Sequence, residues 1–591
     1  MYAYGLIGNC QVSALVSEAA SIDWLCLPRP DSPPTFGRLL DPEGGHFSVE
    51  LISKHPVKAH QYYLQNTNVL VTELTSQEGD KIKVTDFCPR FEQHARMFRP
   101  TSLIRILEPL QGRPQIRVDI KPVNGWSKTP AQPTQGNSHL RFTVGGEVLR
   151  VLTNLPITYV LGSTPTLVHE PIYLALTHGS AIEEDLPELA NRYLRKTCDY
   201  WRTWVKHCNV PSQYQTETIR SALALKLHCY EDTGAILAAL TTSLPEETGH
   251  TRNWDYRYCW LRDTYFVLSA FYSLGHFEEM EGFLKFLLNL AQLGLQTKKP
   301  LAPVYTLDLD LPLPEKIMEN WAGFANSPPV RNRNQAAEHV QNDVYGELVL
   351  ALTPIFLDER FLHLRTPEHE QLLSRLVVQC AESIHTKDAG LWEIRDGWQE
   401  HSFTNLTAWA GLDRAKKIVD RGYLKCLPID LTSELERARL AVEKAVKNGV
   451  LGNGPLDDTL DASLSLAATF RFPNAEVNRA TVMKIYNELK LAKEHEGFFY
   501  RYKRTDDFGS PQSAFMICSF WVAQSLASLG ELKLAKEVLD AAALSANYLG
   551  LLAEHFDPRR NLQLGNFPQA YSHVGMINAA FAISPKWSEV L

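Results

Sequence analysis

RNWDYRYCWLRDTYFVLSAFYSLGHF, residues 252–277, is the stretch on which the fold turns. Its second half places Val267, Leu268, Phe271, Leu274 and Phe277 on one face at helical spacing. Just upstream, Ile219, Leu223, Leu227 and Tyr230 do the same. Downstream the period predicts helices over 344–357, 371–385, 404–420, 432–448, 514–529 and 531–546. No strand alternation separates them, which excludes a βαβ architecture. The spacing leaves room for six helical hairpins of roughly 60 residues each.

Before about residue 185 the period is different. NVLVTELT (68–75) and KIKVTDF (81–87) alternate β-branched and polar residues around the turn SQEGD, a hairpin signal. SLIRILEPL (102–110) and QIRVDIKPV (115–123) read as a second pair. HLRFTV and EVLRVLT flank Gly145-Gly146 and read as a third. Many short strands with turns between them predict a β-sandwich. The charged, helix-prone segment 183–214, with Pro187 and Pro211 near its ends, reads as a linker helix.

The chain has 591 residues, 45% of them hydrophobic and 21% charged. That excludes a mainly disordered protein. At ~150 residues per domain the length is a prior of about four domains. The net charge of −8 makes nucleic acid and anionic membrane poor partners and fits a neutral small substrate. The start MYAYGLIGNC has neither a basic n-region nor a long apolar core, so the expected localisation is cytoplasmic. Ten cysteines are scattered with no CxxC among them, the pattern of buried small hydrophobes in a reducing compartment. No metal cluster stands out, so no metal and no cofactor is expected, with a structural calcium left open.

Three clusters carry candidate chemistry. RNWDYRYCWLRD (252–263) packs four aromatics, three arginines and two aspartates into twelve positions. Aromatic faces stack on sugar rings and Arg or Asp bonds their hydroxyls, although a structural Arg–Asp network at a helix start accounts for the same residues. GLWEIRDGWQEHSF (390–403) sets Glu393 between two tryptophans, where desolvation raises a carboxyl pKa and suits a general acid. LLAEHFDPRRNLQLGNFPQAYSHVG (551–575) places Glu554 at the end of an apolar run, entering a loop rich in Asn, Gln and Gly. Either glutamate taken alone also reads as an ordinary residue of its segment. Together they supply the two carboxylates that glycoside hydrolysis needs. The GxxxxGK[ST], HExxH and GxSxG motifs are absent.

These residues also carry a resemblance that runs nearly end to end. YGLIGNCQVSALVSEAASIDWLCLPRPDSPPTFGRLLD (4–41), NWDYRYCWLRD, SPPVRNRNQAAEHVQNDVYGEL (327–348), GLWEIR, LDASL (460–464), SAFMICSFW (513–521) and LLAEHFDP followed by QLGNFPQAYSHVGMINAA appear in the order of family 15 of the glycoside hydrolases. The chain thus resembles the bacterial glucoamylase-like enzymes, glucodextranases and trehalases of that family. The resemblance implies an N-terminal β-sandwich (1–185), a linker helix (186–214) and a C-terminal (α/α)6 barrel (215–591). It implies Glu393 as general acid and Glu554 as general base. It further implies Arg262 and Asp263 bonding the terminal glucose, Tyr256, Trp260 and Trp392 lining its site, and Asn334 and Gln341 in a matching loop and helix.

The implied reaction is single-step inversion. Glu393 would protonate the glycosidic oxygen while Glu554 takes a proton from the attacking water, across a gap of roughly 6.5–9.5 Å. These roles call for apolar surroundings at Glu393 and a polar, water-accessible setting at Glu554. The expected activity is exo-acting release of β-glucose from non-reducing ends of α-1,4-linked oligosaccharides. Trehalase and α-1,6-glucodextranase are the alternatives within the family. A phosphorylase or a non-catalytic carbohydrate-binding protein is the alternative outside it. Three departures cluster on the leaving-group side: Ile394 where fungal relatives carry a second glutamate, GWQEHSFTNLTAW in place of a basic pattern, and Arg333 in place of a glycine. Arg395 is expected to replace part of the lost aglycone contact. An oligosaccharide is the expected partner. A homodimer through the sandwich stays open, because no residue pattern specifies it.

Overall fold

The computed structural model describes all residues except 180, 298–299, 426, 493 and 496, with side chains left undescribed at 294–297. Cys426 lies outside the described residues, and the other nine cysteines are free thiols.

The N-terminal third folds as two antiparallel sheets. One has seven strands, running in space Tyr4–Gly8, Ser13–Ser17, Ser21–Cys26, His46–Leu51, Gln115–Lys121 and Thr166–Leu167, with Pro34–Phe36 paired onto Ser21–Cys26. The other has eight, in the order Thr134–Gln135, His139–Val144, Glu147–Thr153, Ile172–His178, Ser102–Gln111, Lys81–Phe87, Leu70–Thr75 and Lys58–Tyr63. The 70–75/81–87 hairpin forms as its pattern predicts, with Leu70 opposite Asp86 and Thr75 opposite Lys81. Val144 faces Glu147 across the Gly145-Gly146 turn, where both glycines take the positive φ that a two-residue hairpin turn demands.

The 102–110/115–123 pair does not form. Ser102–Gln111 pairs with Ile172–His178 and Lys81–Phe87, whereas Gln115–Lys121 pairs in the other sheet with His46–Leu51. The chain crosses between sheets at Gly112–Pro114, just after the register breaks between Pro109 and Gln111. Over Ser102 to Leu107 both faces of this strand are covered, so its apolar run carries no alternation. Leu103 and Leu107 face the main core, while Ile104 and Ile106 join a second cluster under Leu186, Leu189 and Cys198. The helix that covers this outer face, Leu186–Lys206, is capped by Asp185, whose carboxylate accepts from the Glu188 N–H. A fully buried ion pair joins the two sheets. Arg105 binds Asp86 at 2.7 Å and donates to the carbonyls of Phe47 and Ala20, each at 2.7 Å.

The rest of the chain is helical. Leu261–Leu274, Asp343–Leu357, Ser402–Asp420, the 462–470 turn and helix, Met516–Ser528 and Ala570–Ile583 pack each on the next, and the last closes on the first. Each is backed by an outer helix: Phe277–Thr297, Pro367–Glu382, Leu431–Lys444, Ala475–Glu488, Leu532–Ala543 and Gln215–Lys226. This is an (α/α)6 barrel. Met516–Ser528 and Ala570–Ile583 are buried nearly all round, as an inner ring requires.

The sandwich braces one end of the barrel. Arg257, fully buried with Asp255 at 2.7 Å, donates to the Ser32 carbonyl at 2.6 Å. The Trp24 indole N–H donates to the Leu240 carbonyl at 2.8 Å, and the Tyr2 hydroxyl to the Gly565 carbonyl at 3.0 Å. Loops 255–257 and 563–565 are therefore fixed from outside the barrel.

Candidate active site

The braced end is where the quoted clusters meet. Trp260 stands in extended conformation just before Leu261–Leu274, so Arg262 and Asp263 occupy the first helical turn, and both are buried. Asp263 there meets the positive end of the helix dipole. Arg262 donates through Nε to Asp263 (3.1 Å), and through one terminal nitrogen to Gln341 (3.1 Å) and the Leu391 carbonyl (2.7 Å).

Glu393 arrives from the loop before Ser402–Asp420. Its φ is +61°, a left-handed conformation that costs a non-glycine residue ~1–2 kcal/mol. The surrounding contacts hold it there. The Trp260 indole N–H donates to Glu393 Oε1 at 2.6 Å, and Arg262 stands 3.5 Å from the same oxygen. Trp392, its predecessor, is anchored by an indole N–H donated to Asp461 at 2.8 Å and packs on Phe515.

Glu554 precedes the strand His555–Asp557. Its Oε2 accepts the Asn566 N–H at 3.0 Å, and the Tyr256 side chain lies close to the same carboxyl. A Cβ on Gly565 would lie 2.5 Å from Oε2, and Gly565 has φ +71°, so only glycine fits this approach. The other oxygen, Oε1, is buried with no protein hydrogen bond among the described residues. Glu554 is 2% exposed, which reverses the water-accessible setting expected for it. Burial, aided by the nearby Glu246 carboxylate, pushes its pKa up to about 8.

Glu246 takes the opposite course. Burial alone would raise it, but Arg501 (3.2 Å), His555 and Arg252 (3.6 Å) hold it below the usual carboxylate range. His555, stacked flat on Phe515 at 4.6 Å, is pushed by burial down to about 4 and is neutral near pH 7. Asp263 is pushed up to about 6 by burial, with Arg262 opposing.

Two small cavities, of ≈ 50 and ≈ 60 Å³, meet at Glu393. Tyr256, Trp392, Glu393 and Arg501 line both. The inner lobe adds Trp260, Arg262, Asp263, Phe515, Gln569 and Tyr571. The outer lobe adds Glu246, Arg252, Trp254, His339, Arg395 and the 506–508 turn. Six sequence-predicted residues thus come together: Tyr256, Trp260, Arg262, Asp263, Trp392 and Glu393. Asn334 lines the outer lobe and caps the turn Gln335–Glu338. Gln341 stands behind Arg262 and lines neither lobe. Glu554 lines neither lobe. The sequence reading did not single out Glu246, Arg501 or Asp506–Phe508. RYKRTDDFG (501–509) looks like an ordinary charged surface loop, and only its DFG turn punctuates it.

Among the described residues, one group of ligand-type side chains is close enough to share a cation: Glu246, Glu554 and His555, with ligand atoms within 4.8 Å of one another. Arg501 and Arg252 already neutralise Glu246 and oppose a further positive charge there. No helix among the described residues is long and apolar enough to cross a membrane.

Comparisons with known proteins bear on the family and the fold. The model of glycosyl hydrolases family 15 matches residues 213–531, and a trehalase-like N-terminal model matches residues 3–160. The trehalase of Mycolicibacterium smegmatis is 32% identical, over 98% of this chain and 90% of its own. Trehalase 1 of Sulfolobus acidocaldarius is 30% identical, over 97% of each chain. The trehalase of Thermoplasma volcanium is 29% identical, over 100% and 93%. A bacterial glucoamylase solved with acarbose superposes with a TM-score of 0.67 at 14% identity, over 98% of this chain and 94% of that one, and so shares the fold.

Proposed function

The chain belongs to family 15 of the glycosyl hydrolases, and from that premise we propose that it is an inverting α-glucosidase whose substrate is trehalose. The observation that carries the chemistry is the position of Glu393. Its carboxyl sits between two lobes and is aimed by Trp260 and Arg262. One glucose ring occupies the inner lobe, where Arg262 and Asp263 bond its hydroxyls and Trp260 and Tyr256 form its walls. The second ring, the leaving group, occupies the outer lobe. Trehalose is favoured over the α-1,4-linked oligosaccharides expected from the sequence because several relatives matching along their length are trehalases and the N-terminal model is trehalase-like.

Glu393, protonated, gives its proton to the glycosidic oxygen as the bond to C1 of the inner ring breaks. Glu554, ionised, takes a proton from the water that attacks C1 from the opposite face through its unpartnered Oε1. Water adds across the bond: the inner ring leaves as β-glucose and the outer ring keeps its α configuration. Early time points by proton NMR should therefore show α- and β-glucose in equal amounts. Only α-glucose would mean retention. Hydrolysis of maltose without hydrolysis of trehalose would return the substrate to the α-1,4 oligosaccharides.

A further inference from the structure

We propose that Phe508, on the turn 506–509, sets the length of the substrate by closing the outer lobe behind a single sugar. The inference rests on the reading of that lobe as the leaving-group site, and it names the residue that limits it.

The turn is tied at three points. First, Arg252 is ion-paired to Asp506 and donates to the carbonyls of Phe508 (3.3 Å) and Gly509 (2.7 Å). Second, Asp506 also accepts from the Tyr502 hydroxyl at 2.5 Å and the Phe508 N–H at 2.8 Å. Third, Asp507 accepts the backbone N–H of Arg395 at 2.7 Å, which couples the turn to the segment that carries Glu393. On this frame the Phe508 ring meets the Trp254 ring edge-on at 5.3 Å. The guanidinium of Arg395 lies 5.2 Å from its centroid and that of Arg252 lies 5.8 Å away. Cations near an aromatic face are attracted to its π-cloud, and the attraction grows as water is excluded.

The ring thus lines the outer lobe and is held there by groups on several sides. Arg395 is held in turn, by Gln335 at 3.3 Å and Glu315 at 3.4 Å. A hexose in the outer lobe has polar partners in Arg395, Asp507 and Glu246. On this reading a second hexose beyond it has to displace Phe508 and break its edge-on contact with Trp254. Phe508 is half-buried in a loop, away from the barrel core, so its truncation opens space without removing an inner-helix contact.

The test compares each disaccharide with the homologue one glucose longer. The pairs are trehalose against trehalose bearing one α-1,4-linked glucose, and maltose against maltotriose. For whichever pair is turned over, the wild-type protein should prefer the disaccharide in kcat/KM by at least tenfold. Phe508→Ala should shrink that preference at least fivefold, mainly through KM of the longer sugar. Phe508→Tyr, which keeps the ring, should restore it. Equal kcat/KM for both lengths in the wild type, or an unchanged ratio in a folded Phe508→Ala, overturns the proposal. A silent trehalose pair beside an active, length-selective maltose pair leaves this inference standing and removes only the trehalose reading. No turnover of either pair overturns both.

Discussion

Glu246→Gln tests how the fold tunes the candidate base. Ligand atoms of Glu246 and Glu554 lie within 4.8 Å of each other. Two unit charges at that distance, in an effective dielectric of ~20, repel by about 3 kcal/mol, which equals about two pKa units. The repulsion is one of the two forces that hold Glu554 up at about 8, and burial is the larger. Glutamine keeps the shape and removes the charge. It also frees Arg501 and Arg252 from Glu246, leaving them Asp506, and their less compensated charge pulls Glu554 the same way. The acid limb of the kcat–pH profile should therefore move down by one to two units. At pH 6 a base with pKa 8 is about 1% ionised, and one with pKa 6 is about half ionised. Activity at pH 6, relative to each protein's own plateau, should rise ten- to fiftyfold. Normalising to the plateau matters, because Glu246 also lines the outer lobe and its loss lowers the absolute rate. Glu246→Asp keeps the charge and should leave the limb near its wild-type position. A limb that stays put in Glu246→Gln, or moves up, refutes the reasoning.

Four further outcomes are expected. Glu393→Gln and Glu554→Gln should each lower kcat by at least ~10²–10⁴-fold with intact folding by circular dichroism, and near-normal turnover in both would sink the two-carboxylate mechanism. Glu554 binds its proton more tightly when folded, with a pKa of about 8 against the ordinary 4.5, so the stability it contributes is full below pH 4.5 and is lost as pH rises through 8. The fall in Tm between pH 5 and 8 should accordingly be shallower in Glu554→Gln, and an identical slope contradicts the assignment. Gly565→Ala puts a methyl 2.5 Å from Glu554 Oε2 at a positive φ; a displaced base should cost ~10²-fold in kcat, and unchanged kinetics would show that the contact does not position it. Asp86→Ala strands the buried Arg105 guanidinium and should cost about 3–5 kcal/mol in denaturant unfolding; a loss under 1 kcal/mol would mean that water reaches the site.

The predicted 531–546 corresponds to the outer helix Leu532–Ala543, which has one apolar and one wet face. The predicted 404–420 and 514–529 also form, as Ser402–Asp420 and Met516–Ser528, although the inner ring buries most of their surface. Ala570–Ile583 is buried nearly all round, so its pattern has little amphipathic period, and only its motif marks it. Ser102–Gln111 was misassigned to a hairpin for a related reason. With both faces covered it has no alternation, and nothing local says which sheet its successor joins.

The candidate site divides along the same line. Glu393, Arg262 and Asp263 sit in motifs whose residue types announce their chemistry, and the fold brings them together at one lobe. Glu554 is legible as a carboxylate, but its setting is not. Its sequence neighbours Asn566 and Gly565 suggested a wet, polar loop. Asn566 instead uses its backbone N–H to hold one oxygen, and Gly565 is there for lack of a side chain. Burial is the larger cause of its raised proton affinity, and Glu246 adds to it, reaching Glu554 from a distant loop in company with Arg501 from another. Each of these three residues, taken in sequence, reads as a surface charge. Buried together they form a coupled group in which the arginines keep Glu246 ionised, and burial and the Glu246 charge together raise the pH at which Glu554 ionises. The candidate base is therefore legible as a motif, whereas the pH at which it would ionise depends on its burial and on loops distant in sequence meeting around it. Substitutions at Glu246 and Arg501 should tune the enzyme's pH range while leaving both candidate catalytic carboxylates in place.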